Sequence, residues 1–137
     1  MLRHDRPVQS LAMCLAGVAG YVDAVGFIET RGSFVSFMSG NTTRLGVGIA
    51  SLSPAAATAA GLIATFVVGV AAGTLTGHAA GRHRRPAVLL LVAALLGTAA
   101  LAGILQLRVV SLAVTALAMG AENAVFEQDG EISIGLT

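Results

Sequence analysis

The sequence predicts an all-α fold, a polytopic helical membrane protein, and three observations predict it. Of the 137 residues, 55% are hydrophobic and only 11% charged, against about 25% charged in soluble domains. Mean hydropathy is +0.84. The apolar residues stand in long blocks rather than alternating with polar ones, so the solvent they fit is lipid. The chain reads as a single membrane domain, residues 1–137.

Five apolar segments follow in order. The first, Val8 to Ile28, contains Asp23 as its only ionised residue. Its basic start and small residues near Gly20 mimic a secretory signal. The apolar run continues past Gly20 to Ile28, however, and Asp5 precedes it, so a first transmembrane helix is the reading. The second segment is Phe34 to Leu52, the third Ala55 to Ala80, the fourth Ala87 to Leu107 and the fifth Val109 to Phe126. About 20 apolar residues span a bilayer as a helix; the first, third and fourth suffice, whereas the second and fifth are marginal. Pro54 and Pro86 sit where a helix start tolerates proline.

In the third segment Gly61, Gly69, Gly73, Gly77 and Gly81 lie four or eight residues apart. That spacing stacks glycines on one helical face, where a second backbone can approach closely in lipid. Packing within the chain is the favoured reading, and a homo-oligomer through Gly69, Gly73 and Gly77 is the alternative.

An internal echo occurs at an offset of one hundred residues. Ala16, Gly20, Ala24 and Val25 recur as Ala116, Gly120, Ala124 and Val125, with Asp23 answered by Asn123. A partial duplication follows: a first repeat over about 8–80, a linking helix over 87–107 and an incomplete second repeat over about 109–137, as in many transporter folds. Arginine counting then bears on topology. If all five segments cross, Arg31, Arg82, Arg84 and Arg85 lie inside against Arg3, Arg6 and Arg108 outside. If the second segment enters and returns on one side, Arg3, Arg6, Arg82, Arg84 and Arg85 lie inside against Arg31 and Arg108. The second tally fits the positive-inside rule better and makes the duplication an inverted one.

Charged residues within apolar segments cost about 2.5–3.5 kcal/mol each on insertion scales and mark function by default. Asp23, Arg44 and Glu122 are the ionisable ones; Asn41, Thr42, Thr43 and Asn123 accompany them as a candidate substrate- or ion-binding set. Two readings of "SGNTTR" stand side by side. In one, the helix breaks at Gly40, and Ser39 or Asn41 caps a new helix starting at Thr42, leaving an anion-favouring helix start at membrane depth. In the other, the helix is unbroken and its polar residues bond to neighbouring helices. Asp23 is the expected partner of Arg44 in either case.

Enzyme chemistry is not expected. Ser39-Gly40 lacks the glycine two residues before the serine that an intramembrane serine protease would show, and no base is placed for it. His4, His78 and His83 have no helical i, i+4 partner for a metal, and Cys14 is a lone cysteine. No phosphate loop is present, and a net charge of +1 favours no nucleic acid. No cofactor is expected; the lipid bilayer is the expected partner.

The stretches "AGVAGYVDAVGF", "FVSFMSGNTTRLG" and "AMGAENAVF", followed by "SIGLT", are similar to the YoaK family of bacterial integral membrane proteins, known mainly as a domain of unknown function. The resemblance implies a multi-pass inner-membrane protein with no assigned activity. Family members usually continue with a further helical stretch, so a C-terminally truncated chain is expected, and Glu122 stands where the family more often shows an amide. The functional expectation is a small-solute or ion transporter with a polar intramembrane site; a non-transporting structural or assembly protein is the alternative.

Overall fold

The computed structural model describes residues 6–128 and 131–132. Five α-helices carry the fold: α1 (Arg6–Thr30), α2 (Met38–Ala50), α3 (Ala55–Ala80), α4 (Arg84–Ile104) and α5 (Arg108–Glu122). A 3-10 turn at Gly81–His83 joins α3 to α4, and another at Asn123–Phe126 follows α5. A two-residue antiparallel ladder then pairs Glu127–Gln128 with Glu131–Ile132. The "SIGLT" stretch and the N-terminal residues Arg3, His4 and Asp5 lie outside the described residues.

Three stretches are long and apolar enough to cross a membrane: Pro7–Thr30, Ala55–Ile104 and Arg108–Val125. The middle one is turned at Gly81 into α3 and α4, each long enough to span alone. The second of the five expected segments, the one read as marginal and re-entrant, does not span. Its α2 has 13 residues and a length of about 20 Å, short of a hydrocarbon core of about 30 Å.

Contacts fix the helix directions. Gly69 abuts the carbonyl of Leu117, Gly73 that of Ala121, and Gly120 that of Phe66, so α3 and α5 run parallel with their backbones touching. A β-carbon at Gly69 or Gly120 would occupy the partner's carbonyl oxygen. The glycine face of α3 is thus filled by α5, while Arg84 covers Gly77. The packing within the chain is present at Gly69 and Gly73.

α1 runs against α5. Ala19 shares a buried cluster with Met119, Val22 packs against the cluster that holds Ala116, and Val8 against the one that holds Ala121 and Val125. One end of the bundle therefore holds the close of α1, the start of α3, the close of α4 and the start of α5. The other end holds the start of α1, the α3–α4 turn and the close of α5, where Arg84 Nε donates to the Ala124 carbonyl at 3.3 Å. We call these the near and far ends.

α2 joins the bundle from the near end. Met38 packs against the cluster that holds Phe66, whereas Gly48 lies against Ala56. Ten residues of α3, about 15 Å, separate those levels. The chain leaves α1 at the near end, descends irregularly to the level of Phe66, and climbs back as α2.

Three helices close at the near end by one device. Gly32, Ser53 and Leu107 donate backbone N–H groups to the carbonyls of Phe27, Gly48 and Ala102 at 2.8, 2.8 and 2.9 Å. The preceding residues Arg31, Leu52 and Gln106 take φ of 58°, 50° and 60°. This is the Schellman closure, formed with non-glycine residues in the left-handed region.

Elsewhere large apolar side chains face outward: Val109 is 81%, Ile28 76% and Leu90 71% exposed. Such a surface suits lipid and not water.

Candidate functional site

The site is built around the descending segment between α1 and α2. Backbone amides away from water require partners, and side chains of the flanking helices supply them. Asp23 Oδ1 accepts from the backbone N–H of Val35 at 2.8 Å and of Ser36 at 2.7 Å. Its Oδ2 accepts from Ser36 Oγ at 2.6 Å. Asn41 completes the next residue, accepting from Phe34 N at 2.9 Å and donating through Nδ2 to Phe34 O at 2.6 Å. Thr30 Oγ1 accepts from Ser33 N at 2.7 Å and stands 2.8 Å from Gly26 O.

Packing fixes the same segment. Val35, fully buried, sits in the notch left by Gly26, where a β-carbon would come within 2.9 Å of it. The rings of Phe27, Phe34 and Phe37 stack in sequence, with centroids 5.1 Å and 5.2 Å apart, the second pair edge to face. Gly40 lies beneath the last two rings, in space a β-carbon would need.

Of the two readings of this stretch, the one with a helix start at Thr42 does not hold. Ser39, Gly40 and Asn41 are already helical, and α2 begins at Met38 after Phe37, with no side-chain cap on its first amides. The irregular backbone lies upstream, because Asp23 and Asn41 stabilise a non-helical course there. Thr42 and Thr43 do not reach other helices; their hydroxyls donate to Met38 O at 2.9 Å and Ser39 O at 3.2 Å, one turn back on α2.

The expected pairing of Asp23 with Arg44 is also corrected. Arg44 Nη2 donates to the Arg31 carbonyl at 3.4 Å, and its guanidinium covers Gly32, whose φ is +120°. The cation thus closes the C-terminal end of α1, where the helix dipole favours positive charge. Its Nε is buried without a partner.

Glu122 and Asn123 form a second group, toward the far end of α5. Asn123 Nδ2 donates to Met119 O at 3.1 Å. Glu122 is 2% exposed, and neither carboxyl oxygen has a hydrogen-bond partner. The seven candidates thus divide into Asp23, Asn41 and Arg44 around the descending segment, Thr42 and Thr43 on the open side of α2, and the α5 pair.

Sequence reasoning missed Thr30, Ser33 and Ser36, for which no periodic signal exists. It also missed a cleft of about 610 Å³ between α1, α4 and α5, bordered by Tyr21, Gly26, Leu96, Gly103 and Thr115. At its near end Arg108 Nη1 stands 3.8 Å from Glu29 Oε2. Among the described residues, no three His, Cys, Asp or Glu side chains gather as a metal site.

Residues 11–137 match the family profile described as protein of unknown function (DUF1275). Over 130 residues the chain is 43% identical to the UPF0700 transmembrane protein RA0705 of Rhizobium meliloti (strain 1021). That alignment covers 93% of this chain and 55% of the relative, so the chain spans about half the length of that curated protein. No solved structure matches. The resemblance to the YoaK group, itself of this family, holds. With the match running over nearly its whole length and the apolar helices suited to lipid, the chain belongs to the DUF1275 family of transmembrane proteins of unknown function.

Proposed function

We propose that the protein is a multi-pass inner-membrane transporter of a small solute or ion, with the descending segment and α2 forming a re-entrant wall of its pathway. One observation carries this: residues 31–37 run as non-helical backbone into the bundle and return as a half-length helix with uncapped first-turn amides. In lipid such backbone is tolerated where it is buried in protein or lines a cavity. Short helices starting at membrane depth recur at transporter binding sites. Asp23 and Asn41 then shape the wall, and Arg44 holds its near end.

Solute uptake into proteoliposomes tests the reading. Wild type is expected to show flux above empty liposomes for at least one solute or ion of a broad panel, and Asp23→Asn to lower it. Equal, background-level flux across the panel would contradict transport.

A second reading, a non-transporting structural or assembly protein, is favoured by the bonding of Asp23 and Asn41 to the chain's own backbone. Cysteine accessibility from Ser36 to Gly46 separates the two. Water-soluble reagents reaching the first turn of α2 support a pathway; protection throughout that turn supports a packed structural segment.

A further inference from the structure

One buried group has no part in the re-entrant wall. Glu122 is 98% shielded, and both of its carboxyl oxygens lack hydrogen-bond partners. An ionised carboxylate in that position loses its hydration with nothing in exchange. On α5, Arg108, Thr115 and Glu122 recur every seventh residue, with Ser111 between the first two. A seven-residue repeat returns to the same helical stripe, so these side chains share one face of α5.

Arg108, Ser111 and Thr115 border the 610 Å³ cleft between α1, α4 and α5. Ser111 donates to Ala99 O at 2.9 Å and Thr115 to Ser111 O at 2.7 Å. Both hydroxyl oxygens therefore keep lone pairs with which to accept from water. Two helical turns beyond Thr115 the stripe reaches Glu122. Leu96 of α4 borders the cleft and also packs against the clusters around Ala121 and Met119, the neighbours of Glu122 along α5.

We propose that Glu122 is a proton-binding carboxyl served from the near end by this cleft, with Leu96 as the barrier between the water-accessible hydroxyls and the acid. The inference rests on the transport reading and names the proton as its coupling ion. A bound proton removes the uncompensated charge, and its release needs only a transient water chain past Leu96. The other titratable groups on these elements are Arg6, Cys14, Tyr21, Asp23 and Glu29 of α1, His78 of α3, Arg84 and Arg85 of α4, and Arg108 of α5. Asp23 is bonded to Val35 and Ser36, Arg84 Nε to Ala124 O, and none hydrogen-bonds to Glu122.

Dicyclohexylcarbodiimide is the probe. The acid proton moves to a carbodiimide nitrogen while the carboxyl oxygen bonds the central carbon, and an acyl shift gives a stable N-acylurea with no leaving group. Only the protonated acid starts this reaction. The full chain in liposomes is treated over a pH series, and adducts are mapped by mass spectrometry. The expected result is an adduct on Glu122 that declines as pH rises and is missing in Glu122→Gln.

In a Cys14→Ser background, Thr115→Cys is expected to react with a water-soluble methanethiosulfonate, and the outward-facing Val67→Cys to resist it. No adduct at any pH, an adduct insensitive to pH, or a protected Thr115→Cys would overturn the proposal. The wild-type pH series suffices if Glu122→Gln does not fold. Labelling requires no flux, so a titrating Glu122 without uptake contradicts transport alone. Uptake with an unlabelled Glu122 contradicts the proton site alone.

Discussion

Glu29, near the close of α1, and Arg108, the first residue of α5, face one another at 3.8 Å across the near end of the bundle. Their side chains are 43% and 72% exposed, so the pair contributes little energy. Its importance is geometric. It places the end of α1 beside the start of α5, in keeping with the cluster that Ala19 shares with Met119 and the packing of Val8 against the cluster of Ala121 and Val125. The Ala16–Ala24 echo at Ala116–Ala124 therefore lies on antiparallel helices.

This arrangement predicts an orientation. The start of α1 and the Arg82–Arg85 turn share the far end, and basic loops are retained on the cytoplasmic side. With cysteines introduced into a Cys14→Ser background, Gln106→Cys is expected to react with an impermeant reagent on intact cells. His83→Cys should react only after permeabilisation. The reverse pattern would invert the orientation.

Asp23 holds three donors of the descending segment. Asp23→Leu leaves the amides of Val35 and Ser36 without an acceptor and is expected to cost about 3 kcal/mol or more, since hydrogen bonds to charged groups contribute about 1.5–3 kcal/mol each. Asp23→Asn keeps one acceptor oxygen and should cost less. Because Arg44 bonds to Arg31 and not to Asp23, a double-mutant cycle of Asp23→Asn with Arg44→Gln should couple by less than about 0.5 kcal/mol. Stability in mixed detergent micelles provides the readout; a coupling several times larger would mean that the two pair after all.

Much of this was legible in the sequence. The helices α1, α3 and α4 follow from apolar runs alone, and the four-residue glycine spacing in α3 anticipates the contact with Leu117 and Ala121. The special character of Asp23 and "SGNTT" was visible as polarity in an apolar context. What those residues bond to was not. Asp23 reaches backbone amides twelve and thirteen residues on, and no side-chain pattern records where a backbone donor will be orphaned. The helix start was misplaced for the same reason. Gly40 and Asn41 resemble a break by local propensity, but the rings of Phe34 and Phe37 and the Asn41 bonds to Phe34 hold them within α2.

Glycines at the α3–α5 contact should be intolerant of any side chain. Gly69→Ala and Gly120→Ala each place a β-carbon on a facing carbonyl, and overpacking of this kind costs about 1–3 kcal/mol. Gly17 and Gly61 face open space, so alanine there is expected to be neutral or to stabilise by up to about 1 kcal/mol through helix propensity. Thermal unfolding of the four variants distinguishes the two classes.

The helix closures make the opposite forecast. Gln106 and Leu52 hold φ of 60° and 50°, a region that costs an L-residue about 1–2 kcal/mol and glycine almost nothing. Gln106→Gly and Leu52→Gly are each expected to stabilise by roughly 1 kcal/mol, reduced by the greater freedom of glycine in the unfolded chain. A loss of stability in both would show that their side chains carry contacts worth more than the backbone strain.

The re-entrant course of the chain between α1 and α3 is tested most directly by the sidedness of Arg31 and Leu52, which flank it. Single cysteines at the two positions in a Cys14→Ser background, labelled with an impermeant reagent on intact and permeabilised cells, give the measurement. Both should react from the same side as Gln106→Cys, because the segment enters and leaves at the near end. Reaction of Leu52→Cys only from the side of His83→Cys would mean that the segment crosses the membrane, and would contradict the proposed re-entrant wall.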